Sequence, residues 1–202
     1  MIRTARKENE KVAEPGVPWR LVNVIQGECV VLADPTRALT TILGSCISCC
    51  LRDPGSGIGG MNHFLLPADL SASSEAASAS LRYGVNAMEA LMNQVVSRAS
   101  TDRRSLEIKV FGGANVQAAL GAVGHRNADF IEEFFGREGL TVAASHLRGS
   151  LPRKIVYHPA SGKVMMRYAQ SIDPARLVAE ERRVAERVPA AAAATADIEL
   201  FD

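Results

Sequence analysis

The chain has 202 residues, of which 47% are hydrophobic, a length and composition that suit one packed domain with tails. Its formal net charge of +1 at pH 7 gives no reason to expect nucleic acid or an anionic membrane as the main partner. The four cysteines are too few and too clustered for a secreted disulfide framework. Residues 1–17 are charged and mixed, without the apolar core of a secretory signal, so no such signal is expected. No stretch approaches the roughly 18 apolar residues that span a bilayer. We therefore expect reduced thiols, a cytoplasmic location and no membrane insertion.

A charged, mixed segment over residues 1–18 ends in a Pro-Gly-Val-Pro run and predicts a flexible N-terminal arm. Trp19, the only tryptophan, follows at once and is expected to anchor the arm on the body of the domain. Two short β-type runs come next, over residues 21–25 and 29–32. The early part of the domain is therefore predicted to be rich in β-structure.

Two short apolar runs joined by an Asp-Pro-Gly turn predict a β-hairpin over residues 46–66. With Pro54 and Gly55 at the tip, the positions that pair across the hairpin have residue numbers that sum to 109. This register places Cys46 directly opposite His63, with Cβ atoms about 4.5–5.5 Å apart. A bulge at one of the glycines after the turn would break the alignment.

A thiol and an imidazole at that separation can share a proton, and the resulting thiolate can attack a carboxamide or ester carbonyl. The imidazole needs a third group to orient it, and Thr40 offers a hydroxyl six residues before Cys46. Gly44 and Ser45 let the backbone bend just before the cysteine, where N–H groups could stabilise an oxyanion. From these residues alone the alternative stays open that Cys46 is a buried apolar residue and His63 a satisfied sheet residue.

Residues 68–80 are small, polar and low in complexity, which predicts a mobile surface loop. Residues 81–98 have the spacing of an amphipathic helix. Its predicted buried stripe is Leu81, Val85, Met88, Met92 and Val95. A half-exposed strand over residues 106–110 leads into Gly112 and Gly113, for which tight backbone packing beside the hairpin is favoured over a phosphate loop.

Asn127 is the predicted N-cap of a second helix, and a strand over residues 140–146 and a hairpin over 153–168 follow it. Three histidines are interpreted as structural because they lack a partner at motif spacing: His125, His146 and His158. An Asp-Pro start signal predicts a last helix over residues 173–188. Residues 189–202 are predicted to be a flexible tail, and their acidic-apolar tip is a candidate docking peptide.

A specific block of residues surrounds the cysteine and the histidine. It reads Thr40-x5-Cys46 with Leu-Gly-Ser directly before the cysteine, then Arg-Asp-Pro, then Gly-Gly-Met-x-His63-x3-Pro67. Further blocks are Lys-Val-Phe-Gly-Gly-Ala-Asn at 109–115, Arg-Asn-x2-Phe at 126–130, Pro-Arg-Lys at 152–154 and Ser-Gly-Lys-Val at 161–164. Over residues 20–170, these motifs resemble those of the chemoreceptor glutamine deamidases, the CheD family of bacterial chemotaxis.

The resemblance implies that Cys46 is the nucleophile, that His63 is the general base and acid, and that Thr40 supports the imidazole. Gly44 and Ser45 would then support the oxyanion. The implied activity is that of a protein-glutamine glutaminase, which converts glutamines of methyl-accepting chemotaxis receptors to glutamate through a thioester. Chemoreceptors are the implied substrates and a CheC-type phosphatase is a candidate partner, with no cofactor and no metal.

The predicted fold is a single α+β domain over residues 19–172, with mostly antiparallel β-sheet layers flanked by helices. Two other functions remain. In the first, Cys46, Cys49, Cys50 and His63 serve as four zinc ligands, although strand alternation puts Cys49 on the opposite face from the other two cysteines. In the second, the protein is a module that binds a CheC-type phosphatase without essential catalysis.

Overall fold

The computed structural model describes residues 10–11, 16–66, 74–116 and 123–169, together with positions 173, 177, 179, 181 and 183. The strands are β1 (Glu10–Lys11), β2 (Arg20–Asn23), β3 (Cys29–Leu32), β4 (Arg37–Leu43), β5 (Ile47–Arg52), β6 (Gly59–Asn62), β7 (Glu107–Gly112), β8 (Val142–Leu147), β9 (Arg153–His158) and β10 (Lys163–Tyr168). The helices are α1 (Ser74–Ala99), a short 3₁₀ turn (Arg103–Ser105) and α2 (Val123–Glu138).

Within the described residues, the strands form two five-stranded sheets. The first sheet has the order β1-β2-β4-β9-β10 and the second has the order β3-β6-β5-β7-β8. Neighbouring strands are antiparallel except for β2 with β4 and β7 with β8, which are parallel. The prediction of an α+β domain with mostly antiparallel sheets is confirmed.

The domain has three layers: the first sheet, the second sheet and the helices. Because side chains alternate across a strand, each sheet presents one set of apolar residues to the other sheet and a second set away from it. Those between the sheets include Val22, Leu39, Leu43, Cys46, Cys50, Met61, Phe111, Ile155 and Tyr157. The opposite face of the second sheet packs on the two helices. The sheet contributes residues such as Cys49, Leu51 and Val110, and the helices contribute residues such as Met88 and Leu91 of α1 and Phe134 of α2. The two helices therefore cover one outer face, and the first sheet forms the other side of the domain.

Trp19 covers part of the outer face of the first sheet. Its ring stacks on His158 with centroids 4.2 Å apart and an angle of 11° between the planes. The predicted anchoring role of Trp19 is confirmed. The arm predicted over residues 1–18 contains strand β1, which pairs with β2; residues 1–9 and 12–15 lie outside the described residues.

Helix α1 begins at Ser74, so the loop predicted over residues 68–80 is wrong for its second half, and residues 68–73 lie outside the described part. Leu81 and Val85 are 45% and 38% exposed, whereas the rest of the predicted stripe is buried. A helix of 26 residues is about 39 Å long, roughly twice the length of the strands beneath it. The spacing of apolar residues identified the face of α1 that points inward. It did not show how much of the length of the helix the sheet covers. No helix in the described ranges is both long and apolar enough to cross a bilayer.

The predicted strands after α2 are present, and the hairpin over residues 153–168 has the predicted bounds. The N-cap prediction is wrong, because α2 begins at Val123 and Asn127 lies inside the helix, completely buried. Of the last predicted helix, the described positions 177, 179, 181 and 183 are helical. Asp173 is described and is not helical, and the other residues of the predicted helix and the predicted tail lie outside the described part.

The hairpin of β5 and β6 has a different register from the predicted one. Cys50 pairs with Met61 and Arg52 with Gly59, so paired residue numbers sum to 111. The tip is a four-residue loop over 54–57. The backbone N–H of Asp53 donates a hydrogen bond to the Ile58 carbonyl, and the Asp53 carboxylate accepts one from the Ser56 N–H. The prediction of a two-residue tip is therefore wrong. A shift of two residues preserves which side chains share a face.

Candidate active site

Residues 44–46, which we call the nucleophile loop, connect the end of β4 to the start of β5. All three of their carbonyl groups are held by neighbouring elements. The Gly44, Ser45 and Cys46 oxygens accept hydrogen bonds from the Ala114 N–H (2.8 Å), the Asn127 side-chain amide (2.9 Å) and the Gly113 N–H (2.9 Å), respectively. A carbonyl and the N–H of the next residue point in opposite directions across a trans peptide, so the Ser45 and Cys46 N–H groups are turned away from the partners of the Gly44 and Ser45 carbonyls.

The three N–H groups of the nucleophile loop converge on one carboxylate, that of Glu181. Its Oε1 accepts from the Gly44 N–H at 3.2 Å and the Cys46 N–H at 3.4 Å. Its Oε2 accepts from the Ser45 N–H at 3.3 Å and from the Ser45 hydroxyl. Successive backbone N–H groups that point into one concavity form an anion site. The bend predicted at Gly44 and Ser45 therefore creates a site suited to a negatively charged oxygen.

Two glycines after β7 let the chain approach this loop closely. Gly112 and Gly113 have φ angles of 120° and 68°, which favour glycine. A Cβ atom on Gly112 would lie 2.0 Å from the Cys46 carbonyl oxygen. The prediction of tight backbone packing beside the hairpin is confirmed.

His63 follows β6, and its ring reaches from the second sheet to the first. Its Nδ1 lies 2.8 Å from the Thr41 hydroxyl, which in turn donates to the Val24 carbonyl at 2.7 Å. Because the single hydroxyl proton of Thr41 is committed to Val24, the network assigns the ring proton to Nδ1. Nε2 then carries a free lone pair, and it is buried without a hydrogen-bond partner among the described residues. This is the tautomer that a general base requires.

The hydroxyl on the imidazole belongs to Thr41 and not to Thr40, the residue that the family resemblance suggested. The Thr40 hydroxyl donates to the Ile155 carbonyl at 2.8 Å. Leu39 and Leu43 belong to the core between the sheets, so alternation along β4 directs Thr41 to the same side and Thr40 to the other. Strand alternation was the signal in the sequence that could have identified Thr41.

Cys46 and His63 lie on the same side of the second sheet, but they are not directly opposite each other. In the observed register Ser48 is the position that faces His63, and Cys46 lies two residues before it, so the prediction of direct pairing is wrong. Diagonal neighbours of this kind are about 7–8 Å apart along the ladder, within reach of long or aromatic side chains. Cys46 is part of the core between the sheets, and the His63 ring enters that layer to meet Thr41.

Burial keeps both groups neutral in this state. Loss of solvent lowers the pKa of His63 to about 4, against the opposing effect of its hydrogen bond to the Val24 carbonyl. Burial also raises the pKa of the Cys46 thiol well above its usual value of 9.0, and the charge of Glu181 raises it further. Both side chains are therefore uncharged in this structure, Cys46 as a thiol and His63 as a neutral imidazole.

Comparison with known proteins identifies the family of this chain. The model of the family described as CheD chemotactic sensory transduction matches residues 65–168. Three relatives carry the curated name "Probable chemoreceptor glutamine deamidase CheD". They come from Rhodopseudomonas palustris strain BisA53 (50% identical, covering 72% of this chain and 68% of the relative), Acidiphilium cryptum strain JF-5 (42%, covering 90% and 94%) and Caulobacter vibrioides strain NA1000 / CB15N (43%, covering 89% and 92%). The chain belongs to the CheD family.

The family model begins at Leu65, after the hairpin that carries Cys46 and His63. The Acidiphilium alignment spans 182 of the 202 residues, so it includes that hairpin wherever its ends lie. The predicted membership of the CheD family is thus confirmed by matches that extend over most of the chain.

The cysteines of this CheD protein do not converge as a zinc site would require. Cys46 and Cys50 face the core between the sheets, whereas Cys49 and Cys29 face the helices, as alternation predicted. Across the ranges that the structure describes, no three or more His, Cys, Asp or Glu side chains are placed to hold a metal ion. The separation of the thiols on two faces argues against the zinc interpretation.

Two residues at this CheD site were missed by sequence reasoning. Asn127 is completely buried, donates to the Ser45 carbonyl and accepts from the Leu66 N–H at 3.0 Å, so it joins the nucleophile loop to the end of the hairpin. Glu181 occupies the position one turn after Leu177 on the same face of the predicted last helix. A carboxylate within an otherwise apolar stripe was the available signal for Glu181.

Proposed function

We propose that this CheD protein hydrolyses the side-chain carboxamide of specific chemoreceptor glutamines to glutamate and ammonia. Family membership supports this proposal, since the relatives are named for that activity. Independent support comes from the arrangement of the residues. A thiol stands at the end of a loop whose N–H groups bind carboxyl oxygens, and the His63 imidazole, on the same side of the second sheet, has a free Nε2.

The proposed reaction proceeds in two halves. The Cys46 sulfur forms a bond to the carboxamide carbon as His63 Nε2 receives the thiol proton, and the resulting oxyanion is stabilised by the loop N–H groups. The imidazolium then gives its proton to the departing nitrogen, so the C–N bond breaks, ammonia leaves and a thioester remains. Water adds to the thioester with His63 as base, which releases glutamate and restores the thiol.

The backbone N–H groups of Gly44, Ser45 and Cys46 form a concave anion site, which we call the N–H nest. The observation that carries this proposal is that a side-chain carboxylate occupies this nest. The product of glutamine deamidation bears that same group. A nest that holds a glutamate side chain beside a cysteine has the hydrogen-bonding character that the acyl chemistry of glutamine needs.

Mass spectrometry of a receptor fragment incubated with the protein tests the proposal. Conversion of a glutamine amide to an acid adds about one dalton, and we expect this gain with the wild type and its loss with Cys46→Ala and Cys46→Ser. Cys50→Ala is the matched control, because Cys50 is equally buried in the same core but lies outside the nucleophile loop. Persistent conversion with Cys46→Ala would refute the proposal.

A CheC-type phosphatase remains a candidate partner on the family resemblance alone. If binding such a partner were the main role, Cys46→Ala would bind the phosphatase as the wild type does while receptor modification stayed unchanged. We expect Cys46→Ala to lose receptor modification and to retain binding of the phosphatase. The four unpaired cysteines support the proposed cytoplasmic location, where thiols stay reduced.

A further inference from the structure

Glu181 reaches the nucleophile loop from the C-terminal segment of the chain. Positions 177, 179, 181 and 183 of this segment have helical backbone. Glu181 is only 4% exposed, and its backbone carbonyl accepts a hydrogen bond from the Gln26 side chain at 3.1 Å. With the bonds from the loop N–H groups, this makes Glu181 a fixed part of the site and not a surface residue.

Glu181 and Leu177 together close the site. A methyl group on Gly44 would lie 2.9 Å from the Glu181 carboxylate and 3.0 Å from the Leu177 side chain, so both pack directly on the nucleophile loop. Cys46 is fully buried beside them. A substrate carbonyl can reach the loop N–H groups only if Glu181 leaves, since the same donors cannot serve both groups.

The side chain of Glu181 indicates which substrate group the N–H nest can bind. A glutamine side chain in the position of Glu181 could keep its carbonyl oxygen on the Gly44 and Cys46 N–H groups. Its NH₂ group would then face the Ser45 hydroxyl, which can rotate to accept a hydrogen bond, while the Ser45 N–H would lose its acceptor. The carboxamide carbon would lie close to Cys46, because the Glu181 carboxylate accepts a hydrogen bond from the Cys46 N–H at 3.4 Å and its charge already acts on the thiol.

We infer that the N–H nest of residues 44–46 is the seat for a carboxamide side chain presented from a helix, and that Glu181 is a built-in product mimic. It fills the seat and holds the enzyme inactive until a receptor helix displaces it. This inference rests on the proposed deamidase function. The Leu177 contact adds a second element of recognition, an apolar residue one helical turn before the target glutamine.

Glu181 also acts on the nucleophile through its charge. Its carboxylate adds to the effect of burial in raising the pKa of the Cys46 thiol. Displacement of Glu181 therefore opens the seat and makes thiolate formation easier. Both effects act in the same direction, toward an enzyme that is slow until a substrate competes for the nest.

The first experiment compares Glu181→Ala with the wild type on a receptor fragment. If the mimic fills the seat at least nine-tenths of the time, kcat/KM should rise by about tenfold or more when it is removed. The Cys46 thiol of this variant should also react faster with iodoacetamide. Arg183→Ala is the matched control, because Arg183 is exposed on the same segment, and its rate should equal that of the wild type.

The second experiment uses Glu181→Gln, which turns the mimic into an internal substrate. We expect the peptide that contains residue 181 to gain about one dalton during incubation of the purified protein, as the carboxamide takes up water and releases ammonia. The double variant Cys46→Ala with Glu181→Gln should show no gain. This measurement needs no receptor, and self-conversion itself reports that the variant is folded.

The outcomes separate the two proposals. If the wild type deamidates the receptor fragment but Glu181→Ala is no faster and Glu181→Gln keeps its mass, the product-mimic inference is overturned and the deamidase function stands. If Glu181→Gln converts itself in a Cys46-dependent manner, the inference is supported even when the chosen receptor fragment is a poor substrate. If no glutamine is converted in either experiment, both proposals are refuted.

Discussion

Replacement of Thr41 by valine tests which threonine orients the His63 imidazole, the proposed general base. Valine has nearly the same shape but no hydroxyl, so it removes the bond of 2.8 Å to His63 Nδ1 and the bond of 2.7 Å to the Val24 carbonyl. The ring then loses the acceptor that fixes both its tautomer and its orientation. Thr41→Ser retains the hydroxyl and should restore most of the activity.

The matched control is Thr40→Val, which removes one buried hydrogen bond, the bond of 2.8 Å to the Ile155 carbonyl. Each lost bond of this kind costs about 1–3 kcal/mol of folding stability when a buried partner is left unsatisfied. Both valine variants should therefore unfold at lower urea concentrations than the wild type. Only Thr41→Val should also lose transition-state stabilisation, by about 1.5–3 kcal/mol, which corresponds to a roughly 10- to 150-fold lower kcat/KM.

The assay is the initial rate of receptor-glutamine conversion by mass spectrometry, measured well below the unfolding midpoint of each variant. The pH dependence of the rate should shift for Thr41→Val, because the tautomer of His63 is no longer fixed, and should stay unchanged for Thr40→Val. If Thr40→Val is the impaired enzyme and Thr41→Val retains its activity, the assignment of Thr41 is refuted and the role suggested for Thr40 by family resemblance is restored.

Three further predictions concern stability. The pKa of His63 is about 4 in the folded protein and 6.5 in the unfolded chain, so the unfolded chain binds an extra proton between these pH values. The free energy of unfolding should therefore fall by roughly 3 kcal/mol in total as the pH drops from 6.5 to 4. This part of the pH dependence should be missing in His63→Gln. Asn127→Asp keeps its acceptor but sets a carboxylate against the Ser45 carbonyl, so urea unfolding should show a loss of about 2–3 kcal/mol, and an unchanged midpoint would contradict the assigned bond. Gly112→Ala should yield little folded protein, because its Cβ would collide with the Cys46 carbonyl oxygen. Gly136→Ala has nothing within 4 Å of the added atom and should raise stability by about 0.5–1 kcal/mol. Comparable behaviour of the two variants in thermal melts would contradict the packing argument.

The local patterns predicted most of the secondary structure because they depend on neighbouring residues. Alternation along residues 46–50 correctly separated Cys49 from Cys46 and Cys50. The same rule applied to β4 would have selected Thr41, had the family motif not drawn attention to Thr40. Periodicity of two residues thus determined the orientation of the side chains even where the register was predicted incorrectly.

What the sequence could not supply was the path of the chain between distant segments. The tip of the β5–β6 hairpin depends on the Asp53 carboxylate, which accepts a hydrogen bond from the Ser56 N–H and so favours a longer loop over the Pro-Gly turn. Asn127 resembles an N-cap because an asparagine suits both a helix end and a buried bridge between backbone groups. Its actual partners are 82 residues away at Ser45 and 61 residues away at Leu66, separations that no local pattern encodes.

Strand β4 lies between β2 and β9 in the first sheet, so one of its two neighbours comes from a segment synthesised much later. A ribosome makes the nucleophile roughly a hundred residues before it makes β9. The layer that supports the imidazole is therefore incomplete on the nascent chain, and the thiol cannot act as an organised nucleophile until most of the polypeptide has emerged. The complete site therefore forms only after β9 has been synthesised.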